Sequence, residues 1–382
     1  MNRRDFLKLG GLTLLGSSFP TLLSAGTGKQ NILLLIELKG GNDGLNTLIP
    51  YSDSNYYRLR PNLAISRDKV LPLTTHLGLN GVMKPLMESW GARDLAIVQG
   101  LGYPDPNRSH SRSIEIWETA SNSNEYLHSG WLNQVIQPSG NTTDAVVLGR
   151  NSGVVSGGGL RSIVLDRPEQ FLRRAKRLPG EQGSSFNPAL NHILRVRSGV
   201  KQAASELELR LQSISKGNGY PKSRFGRNLE LAGRLVRSGA DMQVIKLSLG
   251  SFDTHAGQLG KHNRLLTTLA NGLAAFRKEM IATGNWDRVL LMTYSEFGRR
   301  AAENGSRGTD HGTAAPHFVI GGKVNGGLFG QTPSLSNLDK GDLRFTTDFR
   351  SLYTTVGNSW FGSGSTGFQH QGPRIIKGLI KD

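Results

Sequence analysis

The sequence predicts an α/β protein whose sheet is mostly parallel and covered by helices on both faces. Two observations lead there. Six apolar runs recur along the 382 residues, at 31–41, 94–102, 145–149, 242–250, 288–298 and 317–322. Most end in glycine or small residues, as strands do where they feed loops at the carboxyl edge of a sheet. Segments with helical spacing fall between these runs, and strands alternating with helices build a parallel sheet between helical layers.

The elements follow in chain order. "NILLLIELKGG" opens with a buried-type strand, continuous in apolar residues and closed by glycines. "GVMKPLMESWG" at 81–91 reads as a helix, and "DLAIVQGLG" as the second strand. A helix begins near "SHSRSIEIWETA" at 109–120, with Ser109 placed to cap it. "AVVLG" is the third strand. A helical region from about 187 to 239, interrupted near 215–224, precedes "MQVIKLSLG", the fourth. The amphipathic segment 260–284 is a helix, and "RVLLMTYSEFG" and "HFVIGG" close the set as strands. Residues 27–382 read as one domain with a helical insertion at about 185–240. The basic helices around 195–237 read as a solvated face or a lid.

The first residues, "MNRRDFLKLGGLTLLGSSFPTLLSAGTG", have a charged start, an apolar middle and small residues at the end. That is the plan of a cleavable export signal over 1–26, with cleavage placed near Ala25. The RRDFLK run resembles the twin-arginine signal, which implies a folded chain handed to that export machinery and a periplasmic or extracellular home. No later segment is long and apolar enough to span a bilayer.

The chain has no cysteine, which excludes disulfides, thiolate metal sites and cysteine nucleophiles. A metal would be held by carboxylates, imidazoles and hydroxyls, which favours zinc, manganese, magnesium or calcium. The formal net charge is +17. A chain so basic is drawn to anionic partners, small esters or polymers alike. No nucleic-acid motif accompanies the charge, and no nucleic-acid partner is expected.

The carboxyl-edge rule selects loops without any motif. They carry Asn42, Asp43 and Asn46; Asp105, Asn107, Arg108, Ser109 and His110; Asp253, His255 and His262; Glu296, Arg299, Asp310 and His311; His317 opens the last strand. Asp43 in "GGNDGLN" reads either as a turn residue, with Gly44 at positive φ, or as a carboxylate ligand. Asp253 and His255 point the same way if the segment is extended and can then share an ion; Asp253 also reads as a helix cap. Glu296 has arginines beside it and reads as structural support or a site carboxylate. Ser109 is a cap or a nucleophile, since a helix N-terminus favours an oxyanion and Arg108 or Arg112 can hold further oxygens. Neighbours on a helix start diverge, which argues against a Ser109–His110 dyad. There is no G-x-S-x-G elbow, no Walker loop and no H-E-x-x-H.

"LKGGNDGLNTLIPYSDSNYYRLRPNLAI", "PDPNRSHSRSIEIWETA", "FDTHAGQ", "SEFGRRAAENGSRGTDHGTAAPHFVIGG" and "TTDFRSLY" together resemble the blocks of the exported domain-of-unknown-function family 1501. That family is grouped with the alkaline phosphatase superfamily, which also holds sulfatases. The resemblance implies a doubly wound α/β/α sandwich and one or two divalent ions. It places Asp43, Asp310 and His311 in one metal site, and Asp253 with His255 in the other. His317 would close the second site, with His262 and His370 as alternatives. Ser109 matches the nucleophile, with Arg108, Arg112 or Arg299 neutralising the transferred group. The glycines of "GTDHG" would let the backbone turn so that Asp310 and His311 face one ion. The sulfatase C-x-P-x-R motif is absent. The expectation is an exported metal-dependent hydrolase of phosphate or sulfate esters. The alternative is a non-catalytic envelope protein that uses the fold to bind anionic polymers.

Overall fold

The computed structural model describes residues 14–15, 30–138, 143–177, 207–364 and 374–381, with single positions between 187 and 205. The export segment (the pair 14–15 apart), most of 178–206, and His370 lie outside the described residues.

Thirteen strands occur among the described residues. They are β1 (Leu14–Leu15), β2 (Ile32–Leu38), β3 (Leu48–Ile49), β4 (Val70–Pro72), β5 (Gly78–Asn80), β6 (Leu95–Gly102), β7 (Ala145–Leu148), β8 (Ser162–Val164), β9 (Val244–Leu249), β10 (Val289–Tyr294), β11 (Ala315–Gly321), β12 (Gly327–Phe329) and β13 (Thr347–Asp348). Ten build the main sheet in the order β1-β8-β7-β9-β2-β10-β11-β6-β12, with β13 against β6. The six sequence-predicted strands are β2, β6, β7, β9, β10 and β11. From β8 through β10 neighbouring strands are parallel, whereas β11 runs antiparallel to both β10 and β6. Strands β3, β4 and β5 form a separate small antiparallel sheet.

Four helices matter for the site and its support: α1 (His110–Thr119), α2 (Arg224–Arg237), α3 (Gln258–Ala282) and α4 (Phe349–Thr355). Alternate residues of the buried strands serve opposite faces. Ile32, Leu34, Ile36 and Leu38 of β2 join a core with α2 and α3, including Leu229, Leu235, Leu266 and Phe276. Leu33 and Leu35 join the other core, with Trp117 of α1 and Phe349 and Tyr353 of α4. A sheet sandwiched in this way exposes only its strand ends, where function must sit. The segment 81–91 is a 3₁₀ stretch, Gly81–Leu86, running into a short α-helix, Met87–Gly91; Pro85 lies inside the 3₁₀ part. Proline lacks the N–H that a continuous α-helix would need there.

Two of the apolar-looking strands carry a charge. Lys246 of β9 lies 3.0 Å from Glu118 of α1 and 3.5 Å from Glu37 of β2, with all three side chains buried. Its ammonium also donates to the Asn151 carbonyl at 2.9 Å. Burial of such charges is tolerable only when they are paired in this way.

β11 starts at the carboxyl edge, beside the end of β6, yet His317 faces the core. The side chain packs edge-on against Trp117, with ring centroids 5.5 Å apart, and is 1% exposed. Neither ring nitrogen has a protein hydrogen-bond partner. Burial penalises the imidazolium and pushes the pKa down to about 3 from 6.5. Between those values the unfolded chain takes up a proton that the folded chain refuses. Stability is therefore fully present above pH 6.5 and is lost as the pH falls toward 3. His317→Leu should flatten the acid side of the stability profile by about 1.4 kcal/mol per pH unit between pH 6 and 4, read by urea unfolding. Parallel profiles for the two proteins would contradict this.

Candidate metal centre at the carboxyl edge

Four loops meet beyond the carboxyl ends of the central strands. Gly40 and Gly41 follow β2, Asp253 and His255 follow β9, and Glu296 and Arg299 follow β10. His110 is the first residue of α1, which follows β6. The excursion between β10 and β11 folds back on itself. Gly298 N–H donates to the Thr313 carbonyl at 3.0 Å, Gly312 N–H to Gly298 at 2.8 Å, and Arg300 N–H to Asp310 at 3.0 Å. That pairing sets His311 opposite Arg299.

Asp253 is where the side chains converge. His255 Nε2 lies 3.0 Å from its Oδ1, His311 Nε2 lies 3.2 Å from the same oxygen, and His110 Nε2 lies 3.4 Å from Oδ2. His255 and His311 approach Nε2 to Nε2 at 3.0 Å. Buried Phe297 backs the cluster, its ring 4.9 Å from that of His110 and 4.4 Å from that of His311. Ligand atoms of His110, Asp253 and His311 all lie within 4.8 Å of one another, the one such group among the described residues. His255 joins through its contacts with Asp253 and His311.

The far side of each imidazole is also occupied. His110 Nδ1 meets Glu296 Oε1 at 2.8 Å, His311 Nδ1 meets the Arg108 carbonyl at 2.8 Å, and His255 Nδ1 lies 3.5 Å from Asp310 Oδ1. A carbonyl only accepts, so His311 carries its proton on Nδ1. Glu296 acts as an acceptor too, since Gly40 N–H donates to both of its oxygens at 2.9 and 3.0 Å. With Nδ1 as donor, a neutral imidazole turns a bare lone pair outward at Nε2. Two such lone pairs then face the Asp253 carboxylate, with His255 Nε2 3.0 Å from both His311 Nε2 and Asp253 Oδ1. A proton on His255 Nε2 meets part of that arrangement, and a metal ion meets all of it. The imidazoles, the carboxylate and the outer acceptors form a donor set that fits a divalent ion.

Arg299 holds the loops that carry these groups. Its side chain is fully buried. Nε donates to the Gly41 carbonyl at 2.7 Å and Nη1 to Thr309 at 2.8 Å. Nη2 donates to Phe252 at 3.0 Å, to Asp253 Oδ1 at 2.8 Å, and to Gly40. Burial alone would raise the pKa of Asp253. The hydrogen bond from Arg299 and its guanidinium charge lead the effects that outweigh it and hold the carboxyl at about 2.

The placement of the other sequence candidates departs from the expected grouping. Asp43 is buried, outside the cluster, with Oδ2 2.6 Å from Arg60 Nη1 and accepting from Gln258. Burial works against its charge, but Arg60 and His262 lower its pKa. The left-handed glycines of this loop are Gly40 and Gly41, not Gly44. Helix α3 is capped at Gly257, so Asp253 is not its cap. Asp310 turns away from His311 and sits behind His255, hydrogen-bonded by Asn304, which heads the causes lowering its pKa. Gly308 and Gly312 are not at positive φ. A Cβ on Gly308 would lie 2.2 Å from His255 backbone carbon, and one on Gly312 would lie 2.4 Å from that of Arg299. These glycines permit close loop packing and do not aim two side chains at one ion.

His317 sits on Trp117, away from the cluster, and cannot close it. His262 is buried against Asn42 Oδ1 at 2.9 Å, with its pKa pushed down to about 4 by burial. Arg112 is committed to the carbonyls of Asn122, Ser123 and Glu125 and to the ring of Tyr126. Arg108 is half-exposed and bonded to buried Asp342 at 2.8 Å. Ser109 is exposed at the N-terminus of α1 and makes no side-chain cap bond. The residue that sequence reasoning passed over is His110. Argued against as a partner for Ser109, it is instead one of the three converging groups.

The fold and site define an α/β protein with a mostly parallel sheet and a histidine–aspartate centre at its carboxyl edge. Residues 66–363 match the DUF1501 profile, described as protein of unknown function, and the chain belongs to that family. No curated protein matches the sequence. Solved structures give looser likenesses. A structure from Bacteroides thetaiotaomicron, reported for the metabolism of multiple glycosaminoglycans, is 10% identical with a TM-score of 0.43, over 92% of this chain and 77% of that one. A protein in the alkaline phosphatase superfamily from Vibrio parahaemolyticus is 13% identical with a TM-score of 0.36, over 87% and 72%. The lipoteichoic acid synthase LtaP from Listeria monocytogenes is 9% identical with a TM-score of 0.35, over 91% and 81%. Likenesses this loose transfer no residue from those proteins to this one.

Arg299→Met should lower the unfolding free energy by about 3–5 kcal/mol, because Asp253 and the carbonyls of Gly40, Gly41, Phe252 and Thr309 lose a shared donor. Urea unfolding measures it. A cost below about 1 kcal/mol would show that the loops hold themselves together.

Proposed function

We propose that this chain is an exported, metal-dependent hydrolase of phosphate or sulfate esters. The observation that carries the reading is the convergence of His110, His311 and Asp253, with Ser109 next to His110 at the start of α1. A divalent ion held by these three groups, with His255 beside them, would supply charge that binds the ester's oxygens and lowers the pKa of a nearby hydroxyl.

The chain's own groups have distinct parts. Ser109 is the nucleophile, its hydroxyl exposed and not spent on capping. The N–H groups of the first turn of α1 lie beside it and favour an oxyanion. Arg108, held by Asp342, is the guanidinium placed to take a further oxygen. Arg299 serves indirectly, by fixing Asp253 as an anion. The net charge of +17 draws anionic substrates toward the protein. The RRDFLK start supports export by the twin-arginine route, and among the described residues no helix is long and apolar enough to cross a membrane.

One observation favours the non-catalytic alternative. Two of the three candidate arginines, Arg112 and Arg299, have donors committed to backbone carbonyls, which leaves fewer groups to stabilise a transferring phosphoryl or sulfuryl.

The test is an aryl phosphate, phosphodiester and sulfate screen on chain recovered from the periplasmic fraction without chelator. Turnover should fall by about a thousandfold or more in Ser109→Ala and in His311→Ala. Only His311→Ala should also reduce bound ion. Ion without turnover on any ester would favour the binding role. A folded protein without ion would sink the enzyme reading, and recovery only from the cytoplasm would sink the export reading.

A further inference from the structure

The donor set and the charge around Asp43 carry the metal reading a step further. We propose that the centre holds one ion per chain, of the nitrogen-seeking zinc class, and that the buried guanidinium of Arg60 stands where a two-ion plan would need its second charge. This rests on reading the histidine–aspartate cluster as a metal centre.

The first half follows from ligand chemistry. Magnesium and calcium take oxygen ligands almost throughout, whereas imidazole suits zinc and its neighbours. The convergent atoms here are Nε2 of His110 and His311 and the Asp253 carboxylate, with Nε2 of His255 3.0 Å from both His311 and Asp253. Nitrogen donors outnumber the single carboxylate. Each imidazole also has an acceptor behind it: Glu296, the Arg108 carbonyl and Asp310. Such outer acceptors orient the ring and raise its basicity as a ligand.

The second half follows from Asp43. Arg60 meets its Oδ2 at 2.6 Å, and both side chains are fully buried. Arg60 is itself fixed by the carbonyls of Ala301 at 2.8 Å and Arg300 at 2.9 Å and by Asn46 Oδ1 at 3.0 Å. The guanidinium therefore cannot swing away to admit an ion, and a dication beside it would meet like charge in a low-dielectric interior. Asp43 Oδ1 and His262 Nδ1 each stay bare. A bare acceptor beside a fixed cation suits a buried water better than a second metal.

Glu296 acts as a positioning residue in this scheme. Its carboxylate is locked by Gly40 N–H and fixes which nitrogen His110 turns to the ion.

The experiment is native mass spectrometry of the full chain purified without chelator. It is paired with calorimetric titration of the stripped chain by zinc, magnesium and calcium chlorides. One equivalent per chain is expected, with zinc bound at least a hundredfold more tightly than magnesium or calcium. Glu296→Gln should weaken zinc binding by about 10–100-fold, and Asp43→Asn should still bind one equivalent. Where Asp43→Asn does not fold, the wild-type stoichiometry decides. Two equivalents, loss of an equivalent in Asp43→Asn, or magnesium or calcium binding as tightly as zinc would overturn the inference and leave the metal centre standing. A folded wild-type chain that binds no ion would overturn both.

Discussion

One buried guanidinium organises the carboxyl edge. Arg299 collects carbonyls from the loop after β2, the loop after β9 and the segment before His311, and it adds the Asp253 carboxylate. The segment around His311 is also paired with Gly298 and Arg300, and Phe252 N–H donates to the Lys39 carbonyl at 3.1 Å, but only Arg299 ties all three together. A buried cation is costly unless its donors are matched, and here the matching partners come from separate parts of the chain. The fold thus turns an electrostatic demand into a geometric result: three strand ends are drawn to one point, and Asp253 is kept ionised at it.

Around that anion the polar groups are arranged as acceptors. Glu296 and the Arg108 carbonyl take the Nδ1 protons of His110 and His311, so the inner nitrogens face Asp253 with lone pairs. A structural network would alternate donors and acceptors, as the neighbouring one does. There Arg60 and Gln258 donate to Asp43, and Thr254 and Thr309 donate to Gln258. The two networks lie close in sequence yet differ in what they lack. Each network holds a buried guanidinium against its carboxylate, Arg60 on Asp43 and Arg299 on Asp253, but only at Asp253 do imidazole lone pairs face the carboxylate as well.

Much of this was legible in the sequence, for identifiable reasons. The strands were readable because burial on both faces leaves a run of apolar residues, and the loops because ligands gather at carboxyl edges. Partners were not readable. Asp43 looked like a ligand because Arg60, its ion-pair partner, is 17 residues away in a stretch with no signal of its own. Adjacent Asp310 and His311 were expected to share an ion, but they divide around His255 because the bridge to Arg299 sets the direction of His311. His110 was set aside as a partner for Ser109 on a sound local argument; its actual partners, Glu296 and Asp253, are more than a hundred residues away. His317 was misplaced because β11, although it starts at the carboxyl edge, turns this side chain inward onto Trp117, a choice of face that the sequence alone did not show.

The central claim is that the lone pairs of His110 and His311 and the charge of Asp253 enclose a single metal ion. Anomalous diffraction collected at the zinc edge, from crystals of protein purified without chelator, tests it most directly. The account predicts one strong peak bounded by His110 Nε2, His311 Nε2 and the Asp253 carboxylate, and none beside Asp43. A map with no peak there, or with its peak on Asp43 and His262, would contradict it.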